Sequence, residues 1–222
     1  MRYNEYEVAF SPARLSRYKA ACGGDTRKAM TLYRYNVRLC QKFYAVLSVF
    51  EIILRNAIDR HFRAYYNDPN WIEHQLQTEG MLAYSPKKAE TQKHIRDLTK
   101  RGKLTPDKVV AAQSFVFWTY LFNKIPFNAG GKKILDIFPN KQLGLGQKAV
   151  YNELQDIKLF RNRIAHHEPI CFDMLGNRNL SYMQQNYDKI LKYISFLGYS
   201  DKQLLCGYDV QTKELIYKIM TL

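Results

Sequence analysis

The densest group of chemically useful side chains follows an apolar helical pattern near residue 160. Apolar residues recur at helical spacing at Val150, Leu154 and Ile157, and Arg161 stands where the next one is expected. Residues 162–169 then bring amide, guanidinium and imidazole groups together. Because an arginine is rarely buried without a partner, a guanidinium on this stripe predicts a functional site.

The residue types in this stretch suit proton transfer and anion binding. An imidazole transfers protons near neutral pH, and a guanidinium binds an oxyanion through two parallel donors. Asn162 and His166 are four residues apart and share one helix face. Arg161 and His166 are five apart, about 140° around the axis, so they converge only if the helix ends or bends, or if a second copy contributes. The alternative is structural: Arg161 in a core ion pair and His166 as a helix-terminal cap.

A second cluster repeats the pattern within a longer helical stretch. Arg55-Asn56 is followed by His61, and Glu51, Arg55 and Asp59 are spaced to form a ladder along one face. This ladder is either a solvated row of salt bridges or a device in which a carboxylate orients a catalytic arginine or Arg55 faces phosphate. His61 lies on the apolar stripe, which favours a core histidine.

The composition favours a polyanionic partner. The 222 residues include 34 Lys and Arg against 20 Asp and Glu, a formal net charge of +14, with 17 Tyr, 12 Phe and 2 Trp. Basic side chains bind phosphates and aromatic rings stack on unpaired bases. The alternative is that the basic side chains solvate helix surfaces and the aromatic rings fill the core.

Several classes of protein are not indicated. There is no Walker sequence, no G-x-S-x-G or Cys-His arrangement for a covalent nucleophile, and no cluster with metal-ligand spacing, so neither a metal nor a cofactor is predicted. The apolar windows are shorter than the roughly 18 residues that span a membrane, and no secretory signal is evident. The cysteines are widely spaced, and we expect a cytoplasmic protein without a membrane partner: Cys22, Cys40, Cys171 and Cys206.

The chain is predicted to be an all-α bundle. Ser11-Pro12 begins a short helix that Gly23-Gly24 ends, and Asp25 caps a helix of about ten turns that stops at residues 67–70. Further helices are predicted over residues 87–100, 105–122, 132–138, 147–166, 177–197 and 212–220. We expect one domain over residues 1–222, with a helical extension at residues 1–24 and a tail at residues 199–222.

The motif residues resemble a known family. Arg161-Asn162-Arg163-Ile164-Ala165-His166 resembles the Arg-x(4–6)-His motif of HEPN-domain ribonucleases. With Leu54-Arg55-Asn56-Ala57-Ile58 and the aromatic helix over residues 112–122, it resembles the Abi-like (abortive infection) branch of that group. The resemblance covers about residues 29–194.

The resemblance implies a HEPN-like helical bundle, with extra helices and loops, that forms a homodimer. It implies metal-independent cleavage of single-stranded RNA by 2′-OH attack, giving a 2′,3′-cyclic phosphate and a 5′-hydroxyl. Arg161, His166 and Asn162 are the predicted catalytic residues, supported by a further set: His167, Glu51, Arg55 and Asn56. Either His166 or His167 fits the spacing of the motif, and the Asn-x-x-Ala-His match favours His166.

The same resemblance implies a role in phage defence or as a toxin, restrained in some members by a protein or RNA antitoxin. Two alternatives stay open: a non-catalytic RNA-binding module, and a protein-interaction module of a defence system. RNA binding that survives His166→Ala without cleavage would indicate the first, and no appreciable RNA affinity would indicate the second.

Overall fold

Every regular element in the described part of the chain is helical. The structure is a computed structural model that describes residues 1–77, 79–173, 175–208 and 212–222. It contains twelve α-helices, one 3-10 helix over Ile134–Ile137 and an isolated antiparallel bridge between Phe172 and Arg178. The α-helices are α1 Tyr3–Phe10, α2 Pro12–Ala21, α3 Thr26–Tyr66, α4 Trp71–Gln75, α5 Lys88–Lys100, α6 Pro106–Ala112, α7 Phe115–Tyr120, α8 Lys124–Ala129, α9 Gln147–Ala165, α10 Ser181–Phe196, α11 Asp201–Leu204 and α12 Thr212–Thr221. The predicted all-α class is confirmed.

The chain divides into two compact units. The first unit comprises Met1–Ser48, Leu159–Ile190 and Lys202–Leu222, and the second comprises Val49–Lys158 and Leu191–Asp201. The division falls within α3, α9, α10 and α11, so each of these helices contributes residues to both units. No described helix is both long enough and apolar enough to cross a membrane.

The core of the first unit packs α3 against the end of α9. The Phe43 ring meets Phe160 edge to face at 5.4 Å and Tyr187 at 5.5 Å. The buried amide of Asn36 accepts a hydrogen bond at 2.9 Å from the N–H of Ile170, just after the end of α9. These contacts fix the position of the α9 terminus, because a buried hydrogen bond and interlocked rings leave it little freedom.

The helix starts in the first unit follow the predicted capping chemistry. The Ser11 hydroxyl accepts from the N–H of Arg14, with Pro12 at the first helical position of α2. The Asp25 carboxylate accepts the N–H groups of Arg27 and Lys28 at 2.9 and 3.0 Å. These hydrogen bonds lower the pKa of Asp25, since they favour its charged form.

The core of the second unit is rich in aromatic rings. Trp71 and Trp118 are fully buried, and the Trp71 ring lies 4.9 Å from that of Phe62. The Trp71 indole N–H donates to the carboxylate of Asp59, which also pairs with Arg63 at 2.9 Å. This shared carboxylate ties α4 to α3.

The predicted helix over residues 105–122 is wrong, because the structure has two helices there. The chain leaves α6 at Gln113, whose ψ of 138° is extended, and restarts α7 after Ser114. The buried Gln113 amide donates to the Val109 carbonyl at 2.8 Å and accepts from the Thr91 hydroxyl at 2.9 Å. The Gln113 side chain is buried at this break, and its hydrogen bonds to α5 and α6 satisfy its polar atoms there.

Residues 126–146 contain more helix than predicted. The 3-10 helix lies inside the predicted 132–138 segment, but α8 includes Pro126, which lies outside every predicted helix. Pro126 is the third residue of α8, where the missing N–H is not needed, and the Asn123 side chain caps the helix by accepting from Ile125.

Candidate functional site

The apolar stripe of α9 does not pass through Arg161. Phe160 is fully buried and follows Ile157 by three residues, and Ile164 follows Phe160 by four. Arg161 is half-buried beside the stripe. The prediction that Arg161 takes an apolar slot is therefore wrong, because a step of three rather than four places a phenylalanine there.

Asn162 and His166 come together at the end of α9. The helix ends at Ala165, yet the N–H of His166 still donates to the Asn162 carbonyl at 2.9 Å, so the last turn reaches His166. His166 is exposed, while Arg161 and Asn162 are half-buried. Within the described residues, none of these three side chains makes a hydrogen bond or an ion pair. Their polar atoms are therefore open to a ligand.

A left-handed histidine terminates the helix. His167 has a φ of 59°, a conformation that favours glycine. The His167 N–H donates to the Ile164 carbonyl at 3.0 Å, and the Glu168 N–H donates to the Arg163 carbonyl at 2.9 Å. These two hydrogen bonds form a Schellman motif. Arg14 of α2 donates to the His167 carbonyl at 2.7 Å and so holds this turn in place.

Two clefts meet at this turn, with volumes of about 480 and 490 Å³. The first, called here the arginine cleft, is lined by polar side chains from α2 and the end of α9: Ser11, Arg14, Arg17, Arg163, His167 and Glu168. The second, called the aromatic cleft, is lined mainly by apolar side chains: Phe10, Tyr33, Val37, Cys40, Tyr44 and Ile164. Arg14 and His167 line both clefts.

Arg163 contacts two neighbouring side chains where it lines the arginine cleft. Its Cζ lies 5.5 Å from the centre of the Tyr182 ring, a cation–π contact, and its Nε lies 3.8 Å from a Glu168 oxygen. That Nε is buried and has no hydrogen-bond partner among the described residues. Arg163 is therefore held by Tyr182 and Glu168 where it lines the arginine cleft.

The cysteines near the aromatic cleft are unsuited to nucleophilic catalysis. Burial raises the pKa of Cys40 to about 11 and that of Cys171 to about 12. Both thiols are therefore protonated at neutral pH. No group of three or more potential ligands among His, Cys, Asp and Glu converges in the described part of the chain, so the site offers no preformed metal centre.

The predicted supporting residues of α3 lie in the second unit. Glu51, Arg55 and Asn56 are half-buried, and the Arg55 guanidinium donates to the Asn56 amide oxygen at 3.4 Å. Asp59 pairs with Arg63, four residues further along, and not with Arg55. The predicted Glu51–Arg55–Asp59 ladder is therefore wrong at Asp59, whose carboxylate serves the α3–α4 connection.

His61 is half-buried in the second unit. Its ring stacks on Tyr65 at 6.2 Å with an interplanar angle of 6°, and its Nε2 is buried without a partner in the described residues. Burial lowers the pKa of His61, because it disfavours the charged imidazolium.

Sequence reasoning missed the contribution of α2. Arg14 and Arg17 are both exposed and are three residues apart, while Leu15 and Tyr18 are buried. This amphipathic spacing is visible in the sequence. The basic pair on the polar face of a short helix could therefore have indicated an anion-binding surface. Its position beside residues 163–168 depends on tertiary packing, which the spacing does not reveal.

A family model described as Abi-like protein matches residues 1–171. This chain belongs to the Abi-like family. The match includes α1, α2 and the whole of the motif at the end of α9, so both clefts and the candidate catalytic residues lie within the region that this Abi-like chain shares with the family. No curated protein and no solved structure matches the chain significantly.

Proposed function

We propose that this Abi-like protein is a metal-independent RNA endonuclease that acts in abortive infection, with Arg161, Asn162 and His166 as its catalytic residues. Family membership supports the defence role. The observation that carries the chemistry is the exposed, unpaired His166 one turn from Asn162 at the end of α9. An unpaired imidazole beside an amide at a helix end is available to exchange protons with a bound substrate.

Each group has a defined task in the reaction. The 2′-OH of the ribose attacks the adjacent phosphorus, a new P–O2′ bond forms and the P–O5′ bond breaks. One His166 takes the 2′-OH proton and the His166 of the second copy gives a proton to the leaving 5′-oxygen. The Arg161 guanidinium binds the charge that develops on the phosphoryl oxygens. Asn162 orients the imidazole or a phosphate oxygen. The products are a 2′,3′-cyclic phosphate and a 5′-hydroxyl.

Two copies of the chain supply a complete site. At regular helical geometry Arg161 and His166 are about 140° apart, so one α9 does not aim both at the same phosphate. Leu159 is 55 % exposed and lies on the same face as Asn162 and His166, three and seven residues before them. In the proposed homodimer the two α9 ends meet and cover Leu159.

The test is cleavage of single-stranded RNA by the purified protein in excess EDTA. We expect wild-type cleavage that is lost in Arg161→Ala and in His166→Ala, with helix content by circular dichroism unchanged. His74→Ala is the matched control, since it removes an exposed histidine from the second unit. Cleavage by His166→Ala at the wild-type rate would refute the assignment of this histidine.

RNA binding without cleavage is the second candidate function. It is favoured by one observation: the arginine cleft is lined by Arg14, Arg17 and Arg163, and not by Arg161 or His166. A binding module of this kind retains RNA affinity in His166→Ala and gives no product under any condition.

A further inference from the structure

We infer that α1, α2, α3 and the end of α9 form a nucleotide site, in which the arginine cleft takes a backbone phosphate of RNA and the aromatic cleft takes the adjoining base. The inference rests on the proposed function only in taking RNA as the ligand. It assigns binding roles to Arg14, Arg17 and Tyr44, which lie outside the Arg161–His166 motif.

The phosphate half rests on the charge of the arginine cleft. Arg14, Arg17 and Arg163 line it against a single carboxylate, that of Glu168, which is 57 % exposed and 3.8 Å from Arg163. The Arg163 Nε makes no hydrogen bond with any described residue. A phosphate bound in the cleft places its charge beside all three arginines, while Glu168 is exposed enough to turn into solvent.

The base half rests on aromatic and aliphatic surface that the fold leaves uncovered. Phe10, Val37 and Tyr44 are 38, 39 and 56 % exposed although they line the same cleft. Tyr33 also lines the cleft, and the centre of its ring lies 5.1 Å from that of Phe10. The volume of about 490 Å³ lies in the range of roughly 300–1,000 Å³ typical of small-ligand sites, and a flat base buries its faces on such walls.

The shared wall joins the two halves into one site. Arg14 and His167 line both clefts, and the Arg14 guanidinium is anchored on the His167 carbonyl at 2.7 Å. In RNA a base and its phosphate are separated by one ribose, and the two clefts, which share a wall, take these two parts of a single nucleotide. The left-handed turn at His167 places this wall directly after the catalytic helix.

Binding is measured with a 2′-O-methyl oligonucleotide, which lacks the attacking hydroxyl and therefore reports affinity without cleavage. Arg17 makes no hydrogen bond or ion pair with any described residue, so Arg17→Gln should leave the fold intact. We expect Arg17→Gln to weaken binding by roughly three- to tenfold and to reduce the slope of log K against log salt by about 0.7, the value for one phosphate contact on a single strand. Arg14→Gln with Arg17→Gln should reduce the slope by about 1.4.

The control for charge is Arg101→Gln, an exposed arginine at the end of α5. It should leave both the affinity and the salt slope at their wild-type values. Glu168→Gln should tighten binding, because it removes the one carboxylate of the cleft. Equal affinities and slopes for Arg17→Gln, the double variant and Arg101→Gln would overturn the phosphate half.

The base half is tested with Tyr44→Ala and a matched abasic oligonucleotide. We expect Tyr44→Ala to weaken binding of the base-containing probe by about fivefold or more, the lower end of base–aromatic stacking, and to leave the abasic probe unaffected. Tyr84→Ala removes a ring that is 78 % exposed and should change neither affinity. A loss that is the same for both probes, or absent for both, would overturn the base assignment.

The two proposals fail separately. If wild-type protein cleaves RNA in EDTA but Arg17→Gln and Tyr44→Ala bind as wild type, the nucleotide site is refuted and the nuclease stands. If no cleavage occurs but the variants show the expected losses, the nuclease is refuted and the nucleotide site is supported.

Discussion

Two stretches of the chain present arginine, asparagine and histidine in the same order and fold into different surroundings. In α3, Arg55 and Asn56 contact each other within the helix, which continues to Tyr66, past the stacked, half-buried His61. In α9 the helix ends at Ala165, directly before His166. The position of the helix end, more than the residue pattern, therefore decides which of the two histidines is exposed.

The largest expected effect is on RNA cleavage, which should depend on His166 at the end of α9 and not on His61 of α3. His166→Ala should lower RNA cleavage by about 10²–10⁴-fold, the range for losing a general acid or base. His61→Phe replaces a stacked ring with a ring and should retain the wild-type rate. Rates from gel-resolved cleavage of one RNA under identical conditions check this, and a comparable loss in His61→Phe would remove the distinction between the two stretches.

The next effect concerns stability and falls on α3. Asp59 is a partner of both Arg63 and the Trp71 indole, so Asp59→Ala leaves two donors without their acceptor. We expect the free energy of unfolding to fall by about 1–3 kcal/mol. Urea denaturation measures it, with Asp107→Ala as the control, because the Asp107 side chain is 86 % exposed where it pairs with Arg63. Equal stability losses for the two variants would contradict a structural role for Asp59.

A smaller effect on stability is expected at the helix end at His167, where two substitutions should differ. Glycine adopts a φ of 59° without the steric cost that a β-carbon imposes, so His167→Gly should be more stable than His167→Ala by about 1 kcal/mol. Thermal unfolding of the two variants measures the difference. If His167→Ala is the more stable, the left-handed turn is not the conformation that ends α9.

The smallest effect is the pH dependence that His61 contributes. Its pKa is lowered in the folded state, so the unfolded state binds more protons between the folded pKa and the ordinary value near 6.5. Stability therefore falls as pH decreases through that window, and His61→Phe should flatten the profile there. Urea midpoints from pH 5 to 8 for wild type and variant measure this; identical slopes would show that His61 titrates alike in both states.

Much of the fold was predictable because local chemistry determines it. The caps at Ser11-Pro12 and Asp25 use side-chain acceptors that the sequence displays, and the stop after Tyr66 coincides with the predicted residues 67–70. The break at Gln113 was not predictable, because it depends on a hydrogen bond to Thr91 from another helix.

The candidate site was predictable only in part. The motif in the sequence is enough to select Arg161, Asn162 and His166 as candidates. It does not show that Phe160 is buried instead of Arg161, because a shift of one residue in the helical spacing decides between them. The arginine cleft was missed because Arg14 and Arg163 are 149 positions apart and meet only through folding. Spacing predicts neighbours within a helix, whereas a cleft depends on the contacts between helices.

The most direct measurement for the central claim is end-group analysis of RNA incubated with wild-type protein and with His166→Ala in excess EDTA. The proposed chemistry predicts a 2′,3′-cyclic phosphate and a 5′-hydroxyl from the wild type, and no product above background from the variant. Products with a 3′-hydroxyl and a 5′-phosphate, or equal yields from the two proteins, would contradict it.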